Sequence, residues 1–374
     1  MTLMINSAFD GGNIEVHEAK EPGNIRLAIR KDNASDFYQW FYFRLTGAKG
    51  QACRMVLENT KDSAFSSGWE DYKACASYDR KNWFRVESTK YENDKLVIEH
   101  TPEQDSIYYA YFAPYSAERH HDRIAHYTGD HGVSMKVIGH SVEGQTLDCL
   151  EMGEGDTTIW VIARQHPGET MAEWWMDGFI SRLIEAKDEA TKTLLKKARL
   201  FIVPNMNPDG STHGNLRTNA KGANLNREWG VATQENCPEV LATIAAMDKN
   251  PPRLCLDVHG DENLPYNFIA GAEGIPGYTD KQAKNLEDFL TAYKAASPDF
   301  QTEHGYPTSE PGEGNLTMCT NFTAHRYDCL SMTLEMPFKD NADRPDKSAG
   351  WSPERCGELG ASAVEAMADL VDQL

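Results

Sequence analysis

The sequence predicts an α/β domain, a mixed sheet flanked by helices, preceded by a small N-terminal β-sandwich. Three observations predict it. Residues 1–116 hold short runs rich in aromatic and β-branched residues, divided by turn chemistry and lacking a helical period. From residue 117 onward, strand-like runs alternate with helical ones. Four of the later strands run directly into clusters of polar residues.

In the first region the expected strands are 25–30, 38–45, 53–58, 83–87, 95–99 and 108–115, with turns such as Thr46-Gly47 and Glu92-Asn93-Asp94 between them. Spaced strands without intervening helices suggest a sandwich over 1–116. The polar stretch 117–127 reads as helical and opens an α/β domain expected to span 117–374. Residues 158–163 form a nearly continuous apolar run, as a strand buried on both faces should. A helix follows, because Ala172, Trp175, Met176, Phe179, Ile180, Leu183 and Ile184 recur at spacings of three and four. Further buried strands are expected at 200–203, 254–258 and 330–334, and helices at 285–296 and 360–374. No internal repeat, low-complexity segment or long linker interrupts this order.

Composition narrows the function. The 374 residues are 40% apolar and 25% charged, which suits a folded globular chain. The balance of 37 basic and 57 acidic residues gives a net charge of -20. A nucleic-acid partner is not expected, since phosphates need basic neutralisation, and docking on an anionic membrane is not expected either. No apolar stretch approaches the ~20 residues needed to span a bilayer, and the N-terminus lacks the pattern of a secretory signal. The chain reads as cytoplasmic. Its cysteines, at 53, 75, 149, 237, 255, 319, 329 and 356, form no CxxC pair and read as reduced, buried residues. Nothing in the sequence sets an oligomeric state.

The chemistry gathers at the strand ends. The run 158–163 leads into Arg164-Gln165-His166-Pro167-Gly168-Glu169, and 200–203 into Pro204-Asn205-Met206-Asn207-Pro208-Asp209-Gly210. The run 254–258 leads into His259-Gly260-Asp261, and 330–334 into Glu335-Met336-Pro337. Ligands bind outside the carboxyl ends of strands in open α/β sheets. His166 and Glu169 sit on a strand-to-helix turn, and His259 would complete a His₂Glu zinc site with water in the fourth position. Glu335 interrupts an apolar strand end, where a carboxylate is costly unless paired or functional; its functional reading is a general base. The polar loop 207–229 offers Arg217 and Arg227, whose forked donors suit carboxylates and developing oxyanions.

Together these residues resemble the M14 metallocarboxypeptidases, and within them the cytosolic carboxypeptidase subfamily. The motifs are HPGE at 166–169, NPDG at 207–210, LNREW at 225–229, DVHG at 257–260 and TLE at 333–335, all in family order. The aromatic stretch ending YYAYFAPYS resembles the subfamily's N-terminal β domain, and 137–153 resembles the strand pair that opens the catalytic domain. The resemblance implies a carboxypeptidase-like mixed sheet and one Zn²⁺ per chain on His166, Glu169 and His259. It implies that Arg217 stabilises the oxyanion, that Asn226 and Arg227 hold the substrate's terminal carboxylate, and that Glu335 is the base. The substrate would then be a peptide or protein C-terminus, with glutamate as the released residue the subfamily points to. Two departures stand out. Asn224 occupies the place of a family Asp that accepts the outer N–H of a zinc histidine. The substrate-capping tyrosine is not fixed by spacing, with Tyr306 and Tyr327 as candidates, and a glutamate pocket would need a further cation, for which Arg326, Lys339 and Arg164 are nearest in sequence. Alternatives are a zinc amidohydrolase of N-acyl amino acids, a hydrolase of cell-wall peptides, and a catalytically silent binding protein.

Overall fold

A computed structural model describes residues 3–129 and 131–374. The N-terminal region forms two five-stranded sheets. One orders Met4–Asn6, Tyr42–Thr46, Ser106–Ala110, Cys75–Ser77 and Phe84–Arg85, all antiparallel. The other orders Glu15–Glu21, Asn24–Ala28, Cys53–Leu57, Lys95–His100 and Lys90–Glu92, with a single parallel pair between Asn24–Ala28 and Cys53–Leu57. Period-two alternation turns Ile25, Leu27, Met55, Leu57, Leu96 and Ile98 of one sheet into the same core as Phe43, Leu45, Ile107 and Tyr109 of the other. His100 Nδ1 meets the Tyr109 hydroxyl at 2.8 Å across this layer.

Two expected strands prove shorter than their apolar runs. The run 38–45 pairs only from Tyr42, and 108–115 is a strand only to Ala110. The remaining residues are buried for another reason. Tyr111 stacks on Phe338 with ring centroids 4.4 Å apart, and Trp40, Phe41 and Phe112 share the large core with Ile159, Leu256 and Met332 of the C-terminal domain's strands. Strands such as Glu15–Glu21 went unread because their sequence, EVHEAKE, is largely exposed.

The seven-stranded sheet orders Ser134–His140, Thr146–Met152, Ala198–Val203, Thr157–Ala163, Leu254–Val258, Leu330–Glu335 and Phe268–Ala270. Its four central strands run parallel and the flanking pairs antiparallel, so the sheet is mixed as expected. Successive residues of Thr157–Ala163 enter different cores: Ile159, Val161 and Ala163 lie in one, Trp160 and Ile162 in another. The first face is covered by helices Met171–Glu185 and Pro353–Leu370, the second by Pro238–Lys249. The last helix starts seven residues before the expected 360, where Ser352 caps it and Pro353 fills the first turn. Cys319–Tyr327 folds as a helix despite a sequence, CTNFTAHRY, of weak helix formers. Its buried Thr320 and Thr323 hydroxyls meet Thr333 and Ser331 of the neighbouring strand at 2.7 and 2.6 Å.

Candidate active site

Register brings the site together. Ala163 pairs with Val258, and Val258 with Leu334, so Arg164, His259 and Glu335 leave the sheet at one level. The His259 amide donates to the Leu334 carbonyl at 2.8 Å, which holds the two strand ends side by side. After Ala163 the chain turns sharply through Arg164, at φ 56. Gly168 donates its amide to the Leu216 carbonyl at 2.8 Å, and a Cβ there would come within 2.9 Å of that oxygen, so the turn closes only with glycine. His166 and Glu169 are thereby aimed at His259.

The three side chains converge. Candidate ligand atoms of His166, Glu169 and His259 lie within 4.8 Å of one another, and all three residues are buried. His166 Nδ1 is 2.6 Å from Glu169 Oε1, His259 Nδ1 is 2.8 Å from Glu169 Oε2, and the two Nδ1 atoms are 3.2 Å apart. The outer nitrogens face acceptors: His166 Nε2 meets Asn224 Oδ1 at 3.0 Å, and His259 Nε2 meets Asp257 Oδ2 at 2.8 Å. Both Nδ1 atoms thus face Glu169 and each other, and two imidazoles with one carboxylate are a donor set that suits zinc. Burial pulls the His259 pKa down, but Asp257 and Glu169 outweigh it and raise it above the ordinary value. Burial first, then the nearby Arg217 charge, pulls the His166 pKa down to about 3, so its imidazole stays neutral and able to ligate. Glu169 is held below the ordinary carboxylate range, because the two histidines outweigh its burial.

Glu335 ends its strand buried, and its Oε2 has no partner among the described residues. Burial above all lifts its pKa well above the ordinary value; Glu169, Asp261 and Glu262 push the same way and His259 opposes them. Arg217 is half-buried and Arg227 exposed, and among the described residues neither guanidinium has a carboxylate partner; Arg227 donates to the Asn226 carbonyl at 2.6 Å. Burial, then Arg217, lowers the pKa of Arg227. Asn226 Oδ1 accepts the Cys319 amide at 2.8 Å, so Nδ2 is the group it can offer a ligand.

The remaining motifs brace this centre. Asn207 donates to the Gln165 carbonyl at 3.0 Å and caps the helix Pro208–His213, while Trp229 Nε1 donates to Gln165 Oε1 at 2.9 Å. Of the two tyrosines, Tyr306 is at the site: its hydroxyl donates to Asp261 Oδ2 at 2.5 Å and feels Glu335. Tyr327 is not; its hydroxyl donates to Asp248 on the outer helix Pro238–Lys249. Arg326 pairs with the same Asp248, and Arg164 is buried against Glu173, so both drop out as pocket cations. Lys339 remains, half-buried and without an ion pair among the described residues. Sequence reading missed Asp257, although a charge two residues before His259 on a buried strand must share its face.

Fold and site define a class, α/β proteins with a His₂Glu donor set suited to a metal at the strand ends of a mixed sheet. Residues 128–348 match the zinc carboxypeptidase family and residues 5–112 the cytosolic carboxypeptidase N-terminal domain; the chain belongs to the M14 zinc carboxypeptidases. Its structure is similar to a metallo-carboxypeptidase from Burkholderia cenocepacia, 48% identical with TM-score 0.96, covering 100% of this chain and 99% of that one. It is equally similar to a metallo-carboxypeptidase from Pseudomonas aeruginosa in complex with (2-guanidinoethylmercapto)succinic acid, 45% identical with TM-score 0.97, covering 99% of each chain. Cytosolic carboxypeptidase 1 of Xenopus laevis is 25% identical over 82% of this chain, which spans 28% of that relative's length. The protein is thus a peptidase hydrolase, and among the described residues no helix is long and apolar enough to cross a membrane.

Proposed function

We propose that the chain removes a single C-terminal residue from a peptide or protein, with one zinc ion held by His166, Glu169 and His259. The observation that carries this reading is the pair of guanidiniums, Arg217 and Arg227, standing without carboxylate partners beside a three-donor cage. A cationic pair of this kind suits two anions, the terminal carboxylate and the developing oxyanion. Arg227 and Asn226 Nδ2 bind the carboxylate, which confines cleavage to a chain end. Arg217 faces the carbonyl oxygen as it gains charge. Zinc held in this cage would supply Lewis acidity and a nucleophilic water near neutral pH. Glu335, whose Oε2 has no protein partner among the described residues, is the group placed to take up a proton and return it to the leaving amine. Tyr306, hinged on Asp261, is the capping group. The division at 116/117 and a cytoplasmic location belong to the same reading, the latter supported by the names of the curated relatives.

Glutamate as the released residue has Lys339 as its remaining cation. A basic residue is the second reading, favoured by Glu262, which is buried beside Arg217 and Glu169, and by the guanidine carried by the Pseudomonas relative's ligand. The test is a panel of peptides differing only in the last residue, each with free or amidated terminus, run beside N-acyl amino acids. Cleavage of free but not amidated peptides is expected; equal cleavage of both would defeat the exopeptidase reading.

A further inference from the structure

We propose that the N-terminal domain is a working part of the active site, because it positions Arg217. This rests on assigning Arg217 to the oxyanion. The loop that carries Arg217 is held by the sandwich along its length. Gly11 donates its amide to the Thr212 carbonyl at 3.0 Å, and Asn13 Nδ2 donates to the Gly214 carbonyl at 2.8 Å. The Asn33 amide donates to Asn215 Oδ1 at 3.3 Å. At the centre lies Asp32, only 4% exposed. Its carboxylate accepts the amides of Leu216, Arg217 and Thr218 at 2.6, 2.8 and 3.0 Å, and the Thr218 hydroxyl at 3.1 Å. Beyond it, the Ala34 carbonyl packs against Gly222, where a Cβ would come within 2.3 Å of that oxygen and φ is +80.

The side chain is held from the same side. The guanidinium carbon of Arg217 lies 5.1 Å from the Phe65 ring centre and 5.7 Å from that of Phe37. Ring faces steady a guanidinium without using its N–H donors, and among the described residues those donors make no hydrogen bond. The arrangement therefore fixes the arginine while leaving its fork open to a ligand. A polar loop of Asn, Gly and Thr has little apolar burial of its own to do this. Asp32 in turn is tolerable in the interior only because these donors satisfy it. Three amides in a row on one carboxylate set the backbone of Arg217 directly, so Asp32 is a positioning residue that touches no reacting atom.

The experiment measures kcat and KM for Asp32→Asn and Phe65→Leu, each alone and combined with Arg217→Ala, with zinc content and folding checked for every variant. Misplacement of a catalytic group by about 1 Å costs on the order of 10²-fold, so Asp32→Asn should lower kcat about 10- to 100-fold with KM little changed. Phe65→Leu, which keeps the clamp and removes a ring, should cost a few-fold. In the Arg217→Ala background both changes should be nearly silent, because their effect passes through that side chain. Equal losses in both backgrounds would reveal a general structural role and overturn the proposal. So would folded Asp32→Asn and Phe65→Leu proteins with unchanged kcat. Near-normal turnover of Arg217→Ala alone would instead remove the oxyanion assignment beneath it.

Discussion

Among the described residues, two clusters bring two histidines and a carboxylate within 4.8 Å: His166, Glu169 and His259 at the strand ends, and His120 and His121 of the helix Ala117–Tyr127 with Asp148. Composition barely separates them; burial and charge do. In the first, all three residues are buried, burial and Arg217 hold His166 down to about 3, and burial of His259 is outweighed by Asp257 and Glu169, which raise its pKa. In the second, burial also pulls His120 down, but hydrogen bonds to Asp148 and Glu173 win and push it up to about 9. His120 is therefore an imidazolium clasped by Glu173 at 2.7 Å and Asp148 at 3.7 Å, an ion triad already complete. A metal must displace a proton at either cluster, but at the strand ends His166 is already neutral and both imidazoles face Glu169.

The largest expected effect breaks the first cluster. His259→Ala should lose the zinc and essentially all turnover, while His121→Ala should keep the one ion per chain proposed for the wild type. Elemental analysis of protein made in metal-replete medium decides it. Zinc retained by His259→Ala, or lost by His121→Ala, would reverse the contrast.

Next comes Glu335→Gln, expected to lower turnover by roughly 10²–10⁴ while zinc and carboxylate binding survive. The buried Oε2 has no partner to lose, so folding stability should not fall. Turnover close to normal would give the base role to another group.

The sequence displayed some of this contrast and concealed the rest, for physical reasons. His166, Glu169, His259 and Glu335 were legible because each follows a run too apolar to be anything but a buried strand. Asp257 was concealed by lying inside such a run, although its parity with His259 was open to reading. Asp32 was illegible, since its partners lie 184 to 186 residues away and no local pattern marks a carboxylate that will accept three amides. The sandwich strand 108–115 was overextended because burial against Phe338 looks, in one dimension, like burial in a sheet.

The outer contacts of the cage sharpen the comparison further. Asn224 accepts from His166 without a charge, and Asp257 accepts from His259 with one. Asn224→Asp should tighten zinc binding, and Asp257→Asn weaken it, each by something like the 10–100-fold typical of such contacts. Competitive titration with a chelator measures both. Unchanged affinity in either variant would show that its hydrogen bond does not reach the metal.

The smallest effect tests the second cluster directly. The folded-state pKa of His120 is about 9, above the ordinary value of 6.5. A histidine raised in this way adds stability that is fully present below about pH 6.5 and is lost as pH climbs through about 9. Within that window the loss should approach roughly 1 kcal/mol per pH unit, since the unfolded chain gives up its proton first. His120→Gln removes the titration while keeping a side chain able to donate to Glu173. Urea unfolding at pH 6, 7, 8 and 9 should show the wild-type advantage over this variant shrinking as pH rises, with zinc saturating throughout to keep the other cluster constant. An advantage that is flat across the series would mean that His120 is neutral. The triad would then have bare nitrogen to offer, and the distinction between the two clusters would rest on exposure alone.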